Sequence, residues 1–387
     1  MGSSELKTRR VALTVAALVA TAALGLGLAA CGGGGGIEGN GETTEAETVK
    51  LEGKPSGELT ISNWPLYIDE DTVSNFEKES GVSVKYIEDV NDNAEFFGKM
   101  SPLLQQGASG GRSVFVVTDW MANKMHELGY LQDFDKAGLP NFEKSLRAEL
   151  RSPAYDPERA YSAPWQSGMT GLTVRTDLAP DVHSICDLFD PQYRGKVEML
   201  TEMRDTVPLV MKCMGVDPEG ADEAEWLAAI DKIQGAVESG QIRRFTGNDY
   251  ARDLTSGDAV AVIGWSGDAV QLQADNPEIE WRMPTEGCIL WSDNMVIPIG
   301  APNPTAAEAW IDYVYEPEAQ ADIAEYVNYV TPVEGVKEIL AKREPELAKN
   351  QLIFPAESFT KKCTIQPTPT GEEEQKITAA FEAVLNG

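Results

Sequence analysis

The sequence predicts an α/β protein built on a mostly parallel sheet covered on both faces. Two observations carry that reading. Short apolar runs alternate with helical periodicity along the chain, and 387 residues with 42% hydrophobic side chains provide material for more than one core. With 24% charged and 8% aromatic residues the composition is that of a folded chain, not a disordered one.

In order, the run LTISNW at 59–64 reads as a strand, followed by a proline turn and an acidic helix start near Asp69 that Gly81 stops. Val82, Val84 and Tyr86 alternate as a second strand, and 113–117 is a third that flows into a helix over 121–128, ended by Gly129. A second group begins after 164–168, with strands at 169–174 and 197–200, a helix over 221–233 and an apolar run at 259–265. MVIPIG at 295–300 then precedes helical periodicity over 306–313, which returns over 377–385. The chain carries no short-period repeat.

Ahead of the folded part, ELKTRR at 5–10 and the apolar run at 11–30 read as an export signal, with a membrane-spanning helix as the alternative. Leu28-Ala29-Ala30-Cys31 resembles a bacterial lipoprotein processing box. The resemblance implies that 1–30 are removed and that Cys31 carries lipid, holding the protein on the extracytoplasmic face of a cell membrane. Residues 31–57, rich in Gly, Thr and Glu, then serve as a tether.

The balance of 32 Lys plus Arg against 62 Asp plus Glu, a net charge of -30, excludes nucleic acid as a partner. It leaves a solvated acidic surface or an acidic cleft that attracts cations. Besides Cys31, the residues Cys186, Cys213, Cys288 and Cys363 allow two disulfides in any of three full pairings, or buried thiols. His126 and His183, the only histidines, lack a short ligand spacing, so neither a metal site nor a cofactor is expected.

Several of these strands end in an aromatic residue beside a polar group: Trp64 with Tyr67, Thr118 with Trp120, Trp265 with Asp268, and Trp291 with Asp293. In open α/β sheets the ligand crevice lies beyond the carboxyl ends of the strands, whereas a core aromatic would sit within the apolar run. Glu202 and Asp205 follow the strand at 197–200 and, three positions apart, point one way from an early helical turn. They read as stabilisers of a helix start, as anchors for positive ligand groups, or as the two acids of a glycosidase. Aromatic faces attract cations and cover methylenes, and carboxylates hold ammonium groups, so such a wall suits a chain in which CH2 stretches alternate with ammonium centres.

The segments SNWPLY at 62–67, VVTDWMANKM at 116–125, SAPW at 162–165, LTEMRD at 200–205, GWSGD at 264–268, LWSDNMVIP at 290–298 and NYVTP at 328–332 resemble, in order, those of the spermidine and putrescine binding proteins of bacterial ATP-driven importers. The resemblance covers about 58–387 and implies a two-lobed periplasmic-binding-protein-like fold of type II with the ligand cleft between the lobes. It implies one lobe from 58–167 plus 292–340 and a second from 168–291 plus 341–387. By position, Trp64, Tyr67, Trp120, Trp265, Trp291 and Tyr329 would line the cleft, Thr118 would add a hydroxyl, and Glu202, Asp205, Asp268 and Asp293 would anchor the charges. Pro65 and Leu66 stand where relatives often place a hydroxyl and an acid, and Asp268 is closer to the putrescine binders. The implied function is capture of a polyamine and delivery to the transmembrane subunits of an ABC-type permease, by a monomer and without catalysis. The alternatives are a lipid-anchored binder of a carbohydrate or another cationic small molecule, a glycoside hydrolase using Glu202 and Asp205, and a surface structural protein.

Overall fold

The computed structural model describes residues 53–369 and 371–387. The processing box, Cys31 and nearly all of the tether lie outside the described residues. Among the described residues, ten strands form one continuous sheet. They are β1 (Glu58–Asn63), β2 (Ser83–Glu88), β3 (Val114–Thr118), β4 (Ala163–Arg175), β5 (Val197–Leu200), β6 (Ile242–Thr246), β7 (Ala261–Trp265), β8 (Ile279–Arg282), β9 (Ile289–Val296) and β10 (Thr364–Ile365).

The order along the sheet is β2-β1-β3-β9-β4-β7-β5-β6, with β8 added to β4 and β10 to β9. Strands β2, β1 and β3 pair in parallel at one end, and β7, β5 and β6 pair in parallel at the other. β3, β5 and β7 are buried along their whole length. This is the near-continuous apolar run of a strand covered on both faces.

The middle of the sheet departs from the mostly parallel expectation, because β4 and β9 run antiparallel to each other, β9 is antiparallel to β3, and β4 to β7. The reason is their reach. β4 has 13 residues; its first half pairs β9 as far as Ala163 opposite Met295, while Thr170–Val174 pair β7. β9 contacts β3 through Asp293–Val296 and β10 through Ile289–Leu290. Each strand passes from one half of the sheet to the other, which gives two lobes joined by crossing strands with a cleft between them, the type II architecture expected from the resemblance.

Pro164 and Gly168 disguise β4 as a turn in the sequence. A register shift between Pro164 and Gln166 absorbs the missing proline N–H, and Gly168 leaves room for the Trp291 ring, which a Cβ there would approach to 2.4 Å. Where the chain crosses, the Ser167 and Ser292 hydroxyls lie 2.7 Å apart, and Ser167 exchanges backbone hydrogen bonds with Val330 at 2.9 Å in both directions.

The helix Thr72–Ser80 ends at Gly81 with φ of 75°, a left-handed cap that favours glycine. The helix Glu223–Glu238 starts in a capping box between Asp222 and Glu225. The C-terminal helix Gly371–Asn386 packs on the second lobe, with Phe381 edge-on to Phe245 of β6 and Lys376 paired with Glu223. The four described cysteines form two disulfides, Cys186–Cys213 and Cys288–Cys363. The second ties β10 to the start of β9.

Candidate functional site

The cavity in the cleft is built from strand ends. β1 delivers Trp64, and a turn at Pro65 and Leu66 brings Tyr67 back to the same wall, with Leu66 at a left-handed φ of 56° and its N–H on Glu88. β3 ends in Thr118, directly opposite Asp293 on β9. β5 leads to Glu202 at the start of the helix Met203–Cys213, with Asp205 in its first turn. β7 ends in Trp265 and passes into the helix Ser266–Asp275, whose first turn carries Asp268. Trp291 comes from β9, and Tyr329 follows Asn328, which caps the helix Pro317–Val327 at a φ of 60°.

These residues line about 400 Å3 of space, part of it open to solvent. Trp64 and Tyr67 come from the β1 side, Trp265 from the end of β7 and Trp291 from the crossing strand β9, with Trp64 edge-on to Trp265 at 6.0 Å. Tyr329 meets Tyr67 at 5.1 Å and Trp291 at 5.5 Å, a second group of rings on the wall. The edge-to-face contacts Trp64–Trp265 and Tyr67–Tyr329 are a preferred packing of aromatic quadrupoles.

Four carboxylates face the same space, and neutral groups hold all four. Asp293 accepts from Thr118 Oγ1 at 2.8 Å and Tyr67 OH at 3.1 Å. Asp205 accepts from Trp265 Nε1 at 3.0 Å and Gln366 Nε2 at 2.9 Å. Asp268 accepts from Tyr329 OH at 2.6 Å, Tyr250 OH at 2.7 Å and Asn248 Nδ2 at 2.9 Å. Glu202 reaches across the cleft to accept from the Asn93 backbone N–H at 2.6 Å and its Nδ2 at 2.9 Å. Asn93 also donates to Thr118 Oγ1 at 2.8 Å, so one hydrogen-bonded chain links Glu202 of the second lobe to Asp293.

Burial dominates the acid–base behaviour of all four. It pushes Asp293 up to about 7 against the hydrogen bonds from Thr118 and Tyr67, and Asp205 up to about 6 against those from Trp265, Thr170 and Gln366. Glu202 is raised by burial and then by the Asp92 charge, and Asp268 by burial against its three donors. No lysine, arginine or histidine is among the described residues lining the cavity. Buried acids without a resident cation make a site that gains from a cationic ligand, since charge-assisted hydrogen bonds replace neutral ones.

Of the residues singled out in the sequence, ten share this cavity: Trp64, Tyr67, Thr118, Glu202, Asp205, Trp265, Asp268, Trp291, Asp293 and Tyr329. Trp120 does not. It stands two positions beyond Thr118 in the helix Asp119–Glu127, where about 100° of rotation per residue turns it away. It lines a neighbouring cavity that shares Glu202, and the Arg204 guanidinium lies 3.5 Å from its ring centroid. Sequence reasoning missed Asn93, Asn248 and Gln366, which line the cavity and hydrogen-bond Glu202, Asp268 and Asp205 respectively. Neutral amides far from any charged motif leave no signal in a single sequence. Pro65 also lines the cavity and offers no side-chain donor there.

Two lobes on crossing strands, closed over a polar and aromatic cavity, define an extracytoplasmic solute-binding protein. Residues 71–355 match the family of bacterial extracellular solute-binding proteins, and the chain belongs to it. It is 27% identical over 301 residues to a spermidine/putrescine-binding periplasmic protein of Escherichia coli, covering 77% of this chain and 83% of that one. It is 29% identical over 317 residues to a putrescine/agmatine-binding protein of Pseudomonas aeruginosa, with 76% and 82% covered. The solved structure of a putative spermidine/putrescine ABC transporter from Listeria monocytogenes superposes with a TM-score of 0.76 at 27% identity, over 84% of this chain and 98% of that one. The family binds solutes without catalysis, which sets aside the glycosidase reading of Glu202 and Asp205.

Proposed function

We propose that this protein captures a polyamine outside the cytoplasm and hands it to the transmembrane subunits of an ABC-type permease. The observation that carries the reading is the set of four buried carboxylates, Glu202, Asp205, Asp268 and Asp293, facing one aromatic-walled cavity whose described lining holds no basic side chain. Two charged ends and a hydrocarbon middle match that lining as a neutral sugar does not, and relatives named for spermidine, putrescine and agmatine support the choice.

In this reading Trp64, Tyr67, Trp265, Trp291 and Tyr329 cover the ligand's methylenes, while Thr118 holds Asp293 in place. Trp120 acts from outside the cavity. The lobes comprise 58–167 with 292–340 and 168–291 with 341–387, and a lipid on Cys31 keeps the monomer at the membrane. Titration calorimetry against putrescine, spermidine, spermine, agmatine and glucose tests the function. At least one polyamine should bind with affinity that falls as salt rises, and glucose should give no heat. Tight glucose binding with silence toward every amine would remove the reading.

A further inference from the structure

Arg204 lies between the two anchors of the second lobe, Glu202 and Asp205, at the start of the helix Met203–Cys213. Glu202 and Asp205 are three positions apart and face the ligand cavity, while the intervening rotation sends Arg204 out of it into the neighbouring one. Only 3% of Arg204 is exposed. Its Nη2 donates to Glu374 Oε1 at 2.7 Å, on the C-terminal helix of the same lobe, and its guanidinium lies flat enough on Trp120 of the opposite lobe to bring Cζ within 3.5 Å of the ring centroid. The same Glu374 oxygen accepts from Lys124 Nζ at 3.3 Å, again from the opposite lobe.

We propose that Arg204 is a positioning residue that clasps the closed cleft and so couples ligand capture at Glu202 and Asp205 to the fit between the lobes. The proposal rests on the binding reading above, and the logic is differential. Arg204 and Glu374 belong to one lobe, so their ion pair survives opening and keeps the guanidinium aimed. The Trp120 stack and the Lys124–Glu374 pair cross the cleft and exist only when it is closed. A contact made in one state alone shifts the equilibrium by its whole free energy, whereas one present in both shifts nothing. The same helical turn holds ligand on one side and the opposite lobe on the other, so a cation that fixes Glu202 and Asp205 also fixes Arg204 against Trp120. Within the second lobe, Glu202 and Glu374 are the acids that act on Arg204; Asp92 does so from the first.

A clasp formed after capture slows release more than it speeds entry. R204Q should therefore raise the dissociation rate of putrescine or spermidine about tenfold, the size of one desolvated cation–π contact, with the association rate within about threefold of wild type. W120L should do the same, and the double variant should be no worse than R204Q alone, because each change removes the same contact. R204K should recover part of the loss. Small-angle scattering at saturating ligand should give R204Q a wider envelope, with G247A as the open reference, since a Cβ on Gly247 of the second lobe would stand 2.5 Å from Asn91 Oδ1 of the first.

Wild-type dissociation in R204Q, or fully additive losses in the double variant, would overturn the clasp. A lower melting temperature alone, with unchanged release and envelope, would also do so and leave Arg204 a stabiliser of the second lobe. If wild type binds neither amine, the polyamine reading fails by itself. The clasp is then decided by the release rate of whichever other solute of the calorimetry panel the wild type binds, spermine, agmatine or glucose, where unchanged release in R204Q rejects it.

Discussion

Asp293 holds its place through two neutral donors, Thr118 and Tyr67, and burial pushes its pKa up to about 7, so that it is partly protonated near neutrality. A ligand ammonium would replace a neutral environment with a charge-assisted one, roughly 1.5–3 kcal/mol for such a bond. D293N keeps the shape and removes the charge. Its polyamine affinity should fall about ten- to hundredfold while its melting temperature holds or rises, because burying an amide is easier than burying a carboxylate. Wild-type affinity by calorimetry would take Asp293 out of the site. Which side chains matter was legible where a charge or a ring follows an apolar run, as at Trp265 with Asp268. It was not legible for Asn248 or Gln366, whose role is to hold an acid from another part of the chain, nor for the rotation that removes Trp120.

The elements were readable where burial dictates composition. β5 appears in the sequence with its observed bounds, and β3 and β7 nearly so, because strands covered on both faces are apolar throughout. β6, with two arginines among five residues, and the two-residue β10 offered no such run. β10 nevertheless matters to the cavity. Thr364 donates to Cys288 O at 2.9 Å, Gln366 to Leu290 O at 2.8 Å, and the Cys288–Cys363 disulfide pins this short pairing, which places the Gln366 amide on Asp205. A pairing of two residues has little stability of its own. C288A/C363A should therefore lose about 2–4 kcal/mol of stability and, beyond that, bind polyamine more weakly at a temperature where it is fully folded. C186A/C213A should lose stability with affinity unchanged, since that bridge lies away from the described cavity lining. Equal affinity in both double variants would show that β10 holds Gln366 without its disulfide.

For the whole molecule, the buried acids of the cavity are an electrostatic cost, and pH exposes it. Asp293 rises from 3.8 to about 7 and Asp205 from 3.8 to about 6 on burial, so the folded protein binds these protons more tightly than the unfolded chain. A raised carboxyl contributes its full share of stability below the unfolded value, and that share is lost as pH climbs through the folded value. Each unit corresponds to about 1.4 kcal/mol. Glu198 and Glu308, outside the described lining of the cavity, are also raised to about 7 by burial first of all, and add to the same slope. The ligand-free protein should thus melt several degrees lower at pH 8 than at pH 5. A polyamine stays fully charged across that window and interacts with the ionised acids, so the rise in melting temperature that it produces should grow from pH 5 to pH 8. The slope without ligand belongs to all the buried acids together, while the ligand-induced difference belongs to those in the cavity. D293N should flatten the second with little change in what Glu198 and Glu308 contribute to the first. Thermal melts at three pH values with and without saturating putrescine separate the two, and a ligand effect that is larger at pH 5 than at pH 8 would mean that the bound cation does not meet these carboxylates.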